Sequence, residues 1–427
     1  MKTGIYIPGL GESFRKESAE KYAAFFMRQL DFDNPDHRPI YKTITDIIEY
    51  DSDMKLSCKR TSIIESLNNS EKTVYKFYEY KYGRVITKKF IDNNALIKAW
   101  LLLKGVISKF PLLLLRLIYI NRNIGYKAKY RGQTILLFVL FLLISAAFVF
   151  LLPAAIAIFL NVIKQNDIII ETVELIKKPI KFIPGSINLF ELLDSHNCIP
   201  TWDGLKKASQ IIVNITAIVL LLIPGFNNTI ISMACEFVSA SNYLNHGESK
   251  KRIHGQLDSL MEKIVELEGS DVEICFHTYS FGSLVALDYL FPFSTNPGVR
   301  AQQICKGIVT VGCPYDFVAI YFPAFFKNRN LAMKKEIQWI NIYSLEDSLA
   351  SNFRKDTYAG EANYSFSTDA LLPVNINYEI ANSDMNLISQ FFSLYSVRAH
   401  TKYWDTEEDA STCLSLVIPK MKELNLL

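Results

Sequence analysis

The chain has 427 residues, 46 Lys or Arg against 43 Asp or Glu, and a formal net charge of +3. A balance that small does not by itself imply a polyanionic partner, whereas a hydrophobic content of 50 % is high for a wholly soluble protein of this length. The seven cysteines are scattered, odd in number and without a CxxC pair, which argues against a disulfide framework and against a zinc site.

In chain order, Gly4–Pro8 (GIYIP) alternates β-formers and runs into Gly9-Leu10-Gly11. A strand is therefore expected from residue 3, with no secretory signal. A helix is expected over about Arg15–Leu30. TVYKFYEYKYG at 73–83 reads as another strand, and its Tyr and Phe at period two leave the lysines of 72–90 on a solvated face. That reading makes nucleic acid an unexpected partner for this stretch.

Composition then changes. From Asn93 to Gly132 there are eight Lys or Arg and no Asp or Glu, threaded through WLLL and PLLLLRLIYI. This is the pattern of a basic amphipathic segment at an anionic membrane surface. Residues 134–163 (TILLFVLFLLISAAFVFLLPAAIAIFLNVI) then lack any charge. About 20 apolar residues suffice to span a bilayer, so a transmembrane helix is expected here even with Pro153 inside it. A second apolar run, about 210–236, is broken by Asn214, Pro224-Gly225 and Asn227-Asn228. Both a span and a re-entrant hairpin fit it. Two spans are the simpler solution, because flanking halves of one fold must lie on the same side of the membrane. The positive-inside rule puts the basic approach, and with it the soluble domain, on the cytoplasmic side.

After about Ser249 the pattern becomes α/β. A helix (KKRIHGQLDSLMEKIVELEG) is followed by strand VEICF, helix GSLVALDYLF, strands ICKGIVTVG and IQWINIYS, and a final helix over about Glu407–Leu424. Alternating strands and helices predict a mostly parallel sheet with helices on both faces.

Between VEICF and GSLVALDYLF stands HTYSFGS, with the core Thr278-x-Ser280-x-Gly282 on a strand–turn–helix corner. Such a corner exposes the Ser280 hydroxyl at the C-terminal edge of the sheet. The stretch resembles the nucleophile elbow of the α/β-hydrolase superfamily, G-x-S-x-G, with Thr278 in place of the first glycine. The resemblance covers about residues 1–90 and 247–427, leaving 91–246 as a membrane insertion. It implies a lipase- or esterase-like serine hydrolase whose partners follow Ser280 in the order acid, histidine. Only His400, in SVRAHTKYW, follows Ser280, and it is the expected base. Asp347 is the leading acid, because W-x-N-x-Y-x-x-x-D (339–347) resembles the acid-bearing loop of lipase-like hydrolases; Asp316, in GCPYDF, is its rival. IPGLGES at 7–13 resembles the H-G-x loop of lipases with Pro8 in place of His, so the oxyanion donors implied are the Leu10 and Phe281 amides.

His277 is read as a structural residue on the strand. No phosphate loop, HExxH helix or EF-hand loop is present, and neither cofactor nor metal is expected. The expected function is hydrolysis of carboxylic esters, with acyl-ester or lipid substrates met at the membrane. Acyl transfer by the same three residues, and a catalytically inactive scaffold or regulator, are the alternatives. The sequence does not decide the oligomeric state.

Overall fold

The computed structural model describes residues 1–10, 18–32, 40–67, 70–93, 97, 100–101, 104, 238–245, 247–356, 358–366, 371–379, 395–404 and 412–427. The expected spans, 134–163 and 210–236, lie outside the described residues, as does most of the basic segment that precedes them. Among the described residues no helix is long and apolar enough to cross a membrane. The chain divides into two compact units, one of Met1–Asp92, Ser108–Leu137 and Cys235–Leu427, the other of Asn93–Ile107 and Phe138–Ala234.

The centre of the first unit is an eight-stranded sheet in the order β2-β3-β4-β1-β5-β6-β7-β8. The strands are β1 (Lys2–Ile7), β2 (Ile40–Asp51), β3 (Leu56–Leu67), β4 (Ser70–Glu79), β5 (Glu273–Tyr279), β6 (Cys305–Val311), β7 (Gln338–Tyr343) and β8 (Val374–Asn377). Pairings β2–β3 and β3–β4 are antiparallel. From β4 through β1 to β8 every pairing is parallel, so the expected α/β class with a mostly parallel sheet is what the chain forms. Central β1, β5, β6 and β7 are buried along nearly their whole length, as strands covered on both faces must be.

Three helices show how the sequence supplies that cover. Helix α1 (Ala19–Phe32) buries Ala19, Tyr22, Ala23, Phe26 and Leu30, a stripe at helical spacing. After α2 (Gly83–Ile91), helix α3 (Gly247–Glu268) does the same with Ile253, Leu257, Leu260, Met261 and Ile264. Helix α4 (Phe281–Leu290) is different, since all ten of its residues are buried. Its one buried charge, Asp288, accepts a hydrogen bond from Tyr243 Oη at 2.8 Å and pairs with the Arg329 guanidinium. Burial alone would raise the Asp288 carboxyl, but the His254 ring 3.5 Å away and the charges of Arg329 and Lys250 hold it well below the usual carboxylate range. Further helices among the described residues include α5 (Val299–Ile304), α6 (Tyr315–Tyr321) and α7 (Leu414–Glu423).

Two local expectations shift. The strand expected over 73–83 is β4, but it stops at Glu79, and Gly83 opens α2 instead of continuing a strand toward 90. The first helix begins at Ala19 rather than about Arg15, and residues 11–17 are not described.

His277 sits at the heart of β5 with no solvent exposure. Its Nδ1 lies 2.9 Å from Tyr22 Oη and its Nε2 3.0 Å from Tyr75 Oη. Phe26 and Phe77 meet the ring edge-on. Burial lowers its pKa from 6.5 to about 3. Below pH 6.5 the unfolded chain therefore takes up a proton that the folded chain refuses, so stability is complete above that pH and falls on acidification toward 3. Each pH unit in that window costs about 1.4 kcal/mol. Compared with His277→Gln by denaturant unfolding, the wild-type protein should lose on the order of 2 kcal/mol more stability between pH 7 and pH 4.5.

Candidate active site

The parallel strands bring their C-terminal ends to one edge, and the sequence candidates follow those ends. Ser280 follows β5, Asp347 follows β7 by a short turn, and Pro8-Gly9-Leu10 follows β1. His400 comes from a separate stretch, a short helix Tyr395–Arg398 running into a 3-10 turn Ala399–Thr401.

Ser280 is held at φ 52° and ψ −126°, a conformation that a side-chain-bearing residue rarely adopts. Two backbone bonds fix the turn: the Ser280 N–H donates to the Val311 carbonyl at 2.8 Å and the Ser283 N–H to the Ser280 carbonyl at 3.0 Å. Thr278 Oγ1 donates to the Val309 carbonyl at 2.9 Å and stands 3.0 Å from Ser283 Oγ. The residue in place of a glycine thus ties β5 to β6 through its side chain. Gly282 is needed for clearance, since a Cβ there would lie 2.5 Å from both the Ile7 and the Pro8 carbonyl oxygens.

The three expected side chains converge. His400 Nε2 is 2.7 Å from Ser280 Oγ, and His400 Nδ1 is 2.7 Å from Asp347 Oδ2. A carboxylate can only accept, so Nδ1 carries the proton and Nε2 is left as the acceptor for the Ser280 hydroxyl. Asp347 is fully buried and His400 is 7 % exposed. Asp347 Oδ1 also accepts the Leu349 N–H at 2.8 Å, and Oδ2 accepts the Tyr403 hydroxyl at 2.9 Å. The imidazole has its own seat. Tyr279 stacks on it with ring centroids 5.4 Å apart, and the Tyr279 hydroxyl donates to the His400 carbonyl at 2.5 Å. Gly312, at φ 61°, directly follows β6; a Cβ there would be 3.0 Å from His400 Cε1.

Asp316 is not brought to this group. Its carboxylate accepts from the Tyr364 hydroxyl and its N–H donates to Ser351 Oγ at 2.7 Å, while His400 Nδ1 is already taken by Asp347. Glu346, adjacent to Asp347, is only partly buried and uses its N–H on Ser344 Oγ at 3.2 Å. The loop expected to supply an oxyanion donor lies against the elbow, since a Cβ on Gly9 would be 3.2 Å from Ser280 Cβ. Leu10 is 6 % exposed and Phe281 7 % exposed. Phe281 is the first residue of α4, whose leading N–H groups lack helical acceptors and sit at the positive end of the helix dipole.

Two contributors escaped sequence reasoning, Tyr279 and Tyr403. Their positions one residue before the elbow and three after the histidine were the only signals available. Chemically, the arrangement can move a proton from Ser280 to His400 while Asp347 stabilises the imidazolium that forms.

Gly282→Ala should force the β1 end and the elbow apart, lowering stability by about 1–3 kcal/mol in denaturant unfolding.

No protein-family model, curated protein or solved structure matches this chain.

Proposed function

We propose that the protein is a membrane-anchored serine hydrolase of α/β-hydrolase type that cleaves carboxylic esters of lipids or other acyl chains. The observation that carries this reading is the unbroken hydrogen-bond path from Asp347 through His400 to Ser280, with both links at 2.7 Å. In the reaction, Ser280 Oγ attacks the ester carbonyl carbon as His400 Nε2 takes its proton. The carbonyl oxygen becomes an oxyanion facing the Leu10 and Phe281 amides. As the intermediate collapses, the C–O bond to the alcohol breaks and His400 returns the proton to the departing oxygen. Water then repeats the sequence on the acyl-enzyme, His400 taking one of its protons and giving it back to Ser280.

The acyl-chain preference and the membrane attachment rest on the sequence. The charge-free run of 134–163 is long enough to span, and the eight cationic residues between Asn93 and Gly132 suit an anionic leaflet. Strands on both sides of this insertion join one sheet, β4 and β5 both flanking β1. That arrangement requires an even number of crossings, and the positive-inside rule then directs the hydrolase domain to the cytoplasm. A site held at the bilayer surface meets lipid substrates at high effective concentration.

A fluorophosphonate probe should label the wild-type protein, and Ser280→Ala should abolish labelling. His400→Ala and Asp347→Asn should each slow it by on the order of 10³–10⁴. Asp316→Asn should label at close to the wild-type rate; the opposite ranking of the two aspartates, or labelling that survives in Ser280→Ala, would remove this assignment. Independently, the full chain should stay with membranes through alkaline carbonate washing. A form lacking 134–236 should be released by it.

A further inference from the structure

We propose that Tyr403 is a positioning residue of this site, its hydroxyl fixing the Asp347 carboxylate and setting the proton affinity of His400. The inference rests on the hydrolase reading of the Ser280 site. Tyr403 is fully buried. Its Oη donates to Asp347 Oδ2 at 2.9 Å and accepts the Ser344 N–H at 2.9 Å. Ser344 directly follows β7, so one phenolic oxygen ties the acid to the strand end from which its loop departs. The Asp347 turn has a second anchor, the Asp347 N–H to the Ser344 carbonyl at 3.2 Å, and the neighbouring Ser348 N–H reaches the Ser396 carbonyl at 3.0 Å. Those backbone bonds hold the loop, whereas the Tyr403 hydroxyl reaches the carboxylate itself.

The oxygen it reaches matters. Oδ2 also faces His400 Nδ1, so the phenol and the imidazole share one acceptor atom. A donor on Oδ2 draws off part of its negative charge and so weakens its pull on the imidazolium. Tyr403 keeps its own proton: burial, and next the charge of Asp347, push its ionisation well above the ordinary tyrosine value. Among the described residues, the titratable groups facing it are Asp347, His400, Tyr279 and Tyr378, the last stacked with ring centroids 6.0 Å away. None of these tyrosines offers Asp347 a permanent charge, and the Leu349 N–H donates to the other carboxylate oxygen, Oδ1, at 2.8 Å, so the phenol acts on the oxygen that faces the imidazole.

Tyr403→Phe removes that oxygen and keeps the ring. The test is the second-order rate of fluorophosphonate labelling across pH, whose acid limb reports loss of neutral His400. In Tyr403→Phe the limb should move up by about one pH unit, and below the limb labelling should be about tenfold slower than wild type. Replacement of Tyr403 by 3-fluorotyrosine, a stronger donor of nearly the same shape, should move the limb the other way. The downfield Nδ1 proton resonance of His400 should shift in opposite directions in the two proteins. A lowered melting temperature with the limb and the resonance unmoved in both would make Tyr403 a packing residue only and overturn the proposal. Wild-type protein that fails to label overturns the hydrolase reading, and with it this one.

Discussion

Neighbouring strands in a sheet are about 4.8 Å apart, so residues leaving the first and third of three adjacent strands start roughly 10 Å from each other. Ser280 and Asp347 are in that relation, one after β5 and the other after β7, with β6 between. No direct contact can join a serine and an aspartate over such a gap. An imidazole, with a donor and an acceptor on opposite sides of a rigid ring, closes it with two hydrogen bonds of 2.7 Å. The rest of the site derives from seating that ring. The chain leaving the strand beneath it must do so without a side chain, and Gly312 directly follows β6, in a left-handed conformation and with a Cβ that would lie 3.0 Å from His400. The ring also needs a wall, which Tyr279 supplies by stacking while its hydroxyl ties down the His400 backbone.

Holding Ser280 at positive φ costs on the order of 1–3 kcal/mol, and such strain persists only where the surroundings over-determine it. Here the surroundings are unusually complete. Helix α4 is buried on all sides, its far end is clamped by the Asp288–Arg329 pair, and its first turn presses Gly282 onto the carbonyls of β1. Burial of Leu284, Val285, Leu287 and Leu290, at about 1.5–3 kcal/mol for each fully buried large apolar side chain, exceeds the strain several-fold. The helix that pins Ser280 is thus itself pinned by the core.

How much of this was legible beforehand depended on how local each signal was. Ser280 was readable because its strand, corner and helix are contiguous, and Asp347 because it trails a strand end. His400 was readable only by elimination, as the one histidine after Ser280. The Tyr403 contact was not, since it depends on the landing of residues 395–404 beside β7, which no local pattern encodes. Thr278 looked like a departure from the elbow motif, whereas its hydroxyl is spent on the Val309 carbonyl, a partner that exists only once β6 lies beside β5. Strands β2 and β3 were missed for another reason: Lys, Arg, Asp and Glu fall on both faces, and β3 buries residues irregularly along its length. Such strands carry little period-two signal. Gly83 misled because the β-branched residues of GRVITKKFI mimic a strand, although Ile86 packs into the core at helical spacing from Tyr82.

Strand β1 joins the two stretches of sequence from which the sheet is built. Its six residues pair with β4 on one side and β5 on the other. It thereby joins β4, which precedes residues 93–237 in the sequence, to β5, which follows them. The same strand also leads directly into Pro8-Gly9-Leu10, so the element that closes the sheet across the insertion delivers the loop facing Ser280. Sheet integrity and the surroundings of Ser280 therefore share one cause: the end of β1 packs against Gly282 in the turn after Ser280, whereas Asp347 departs from β7, three strands away.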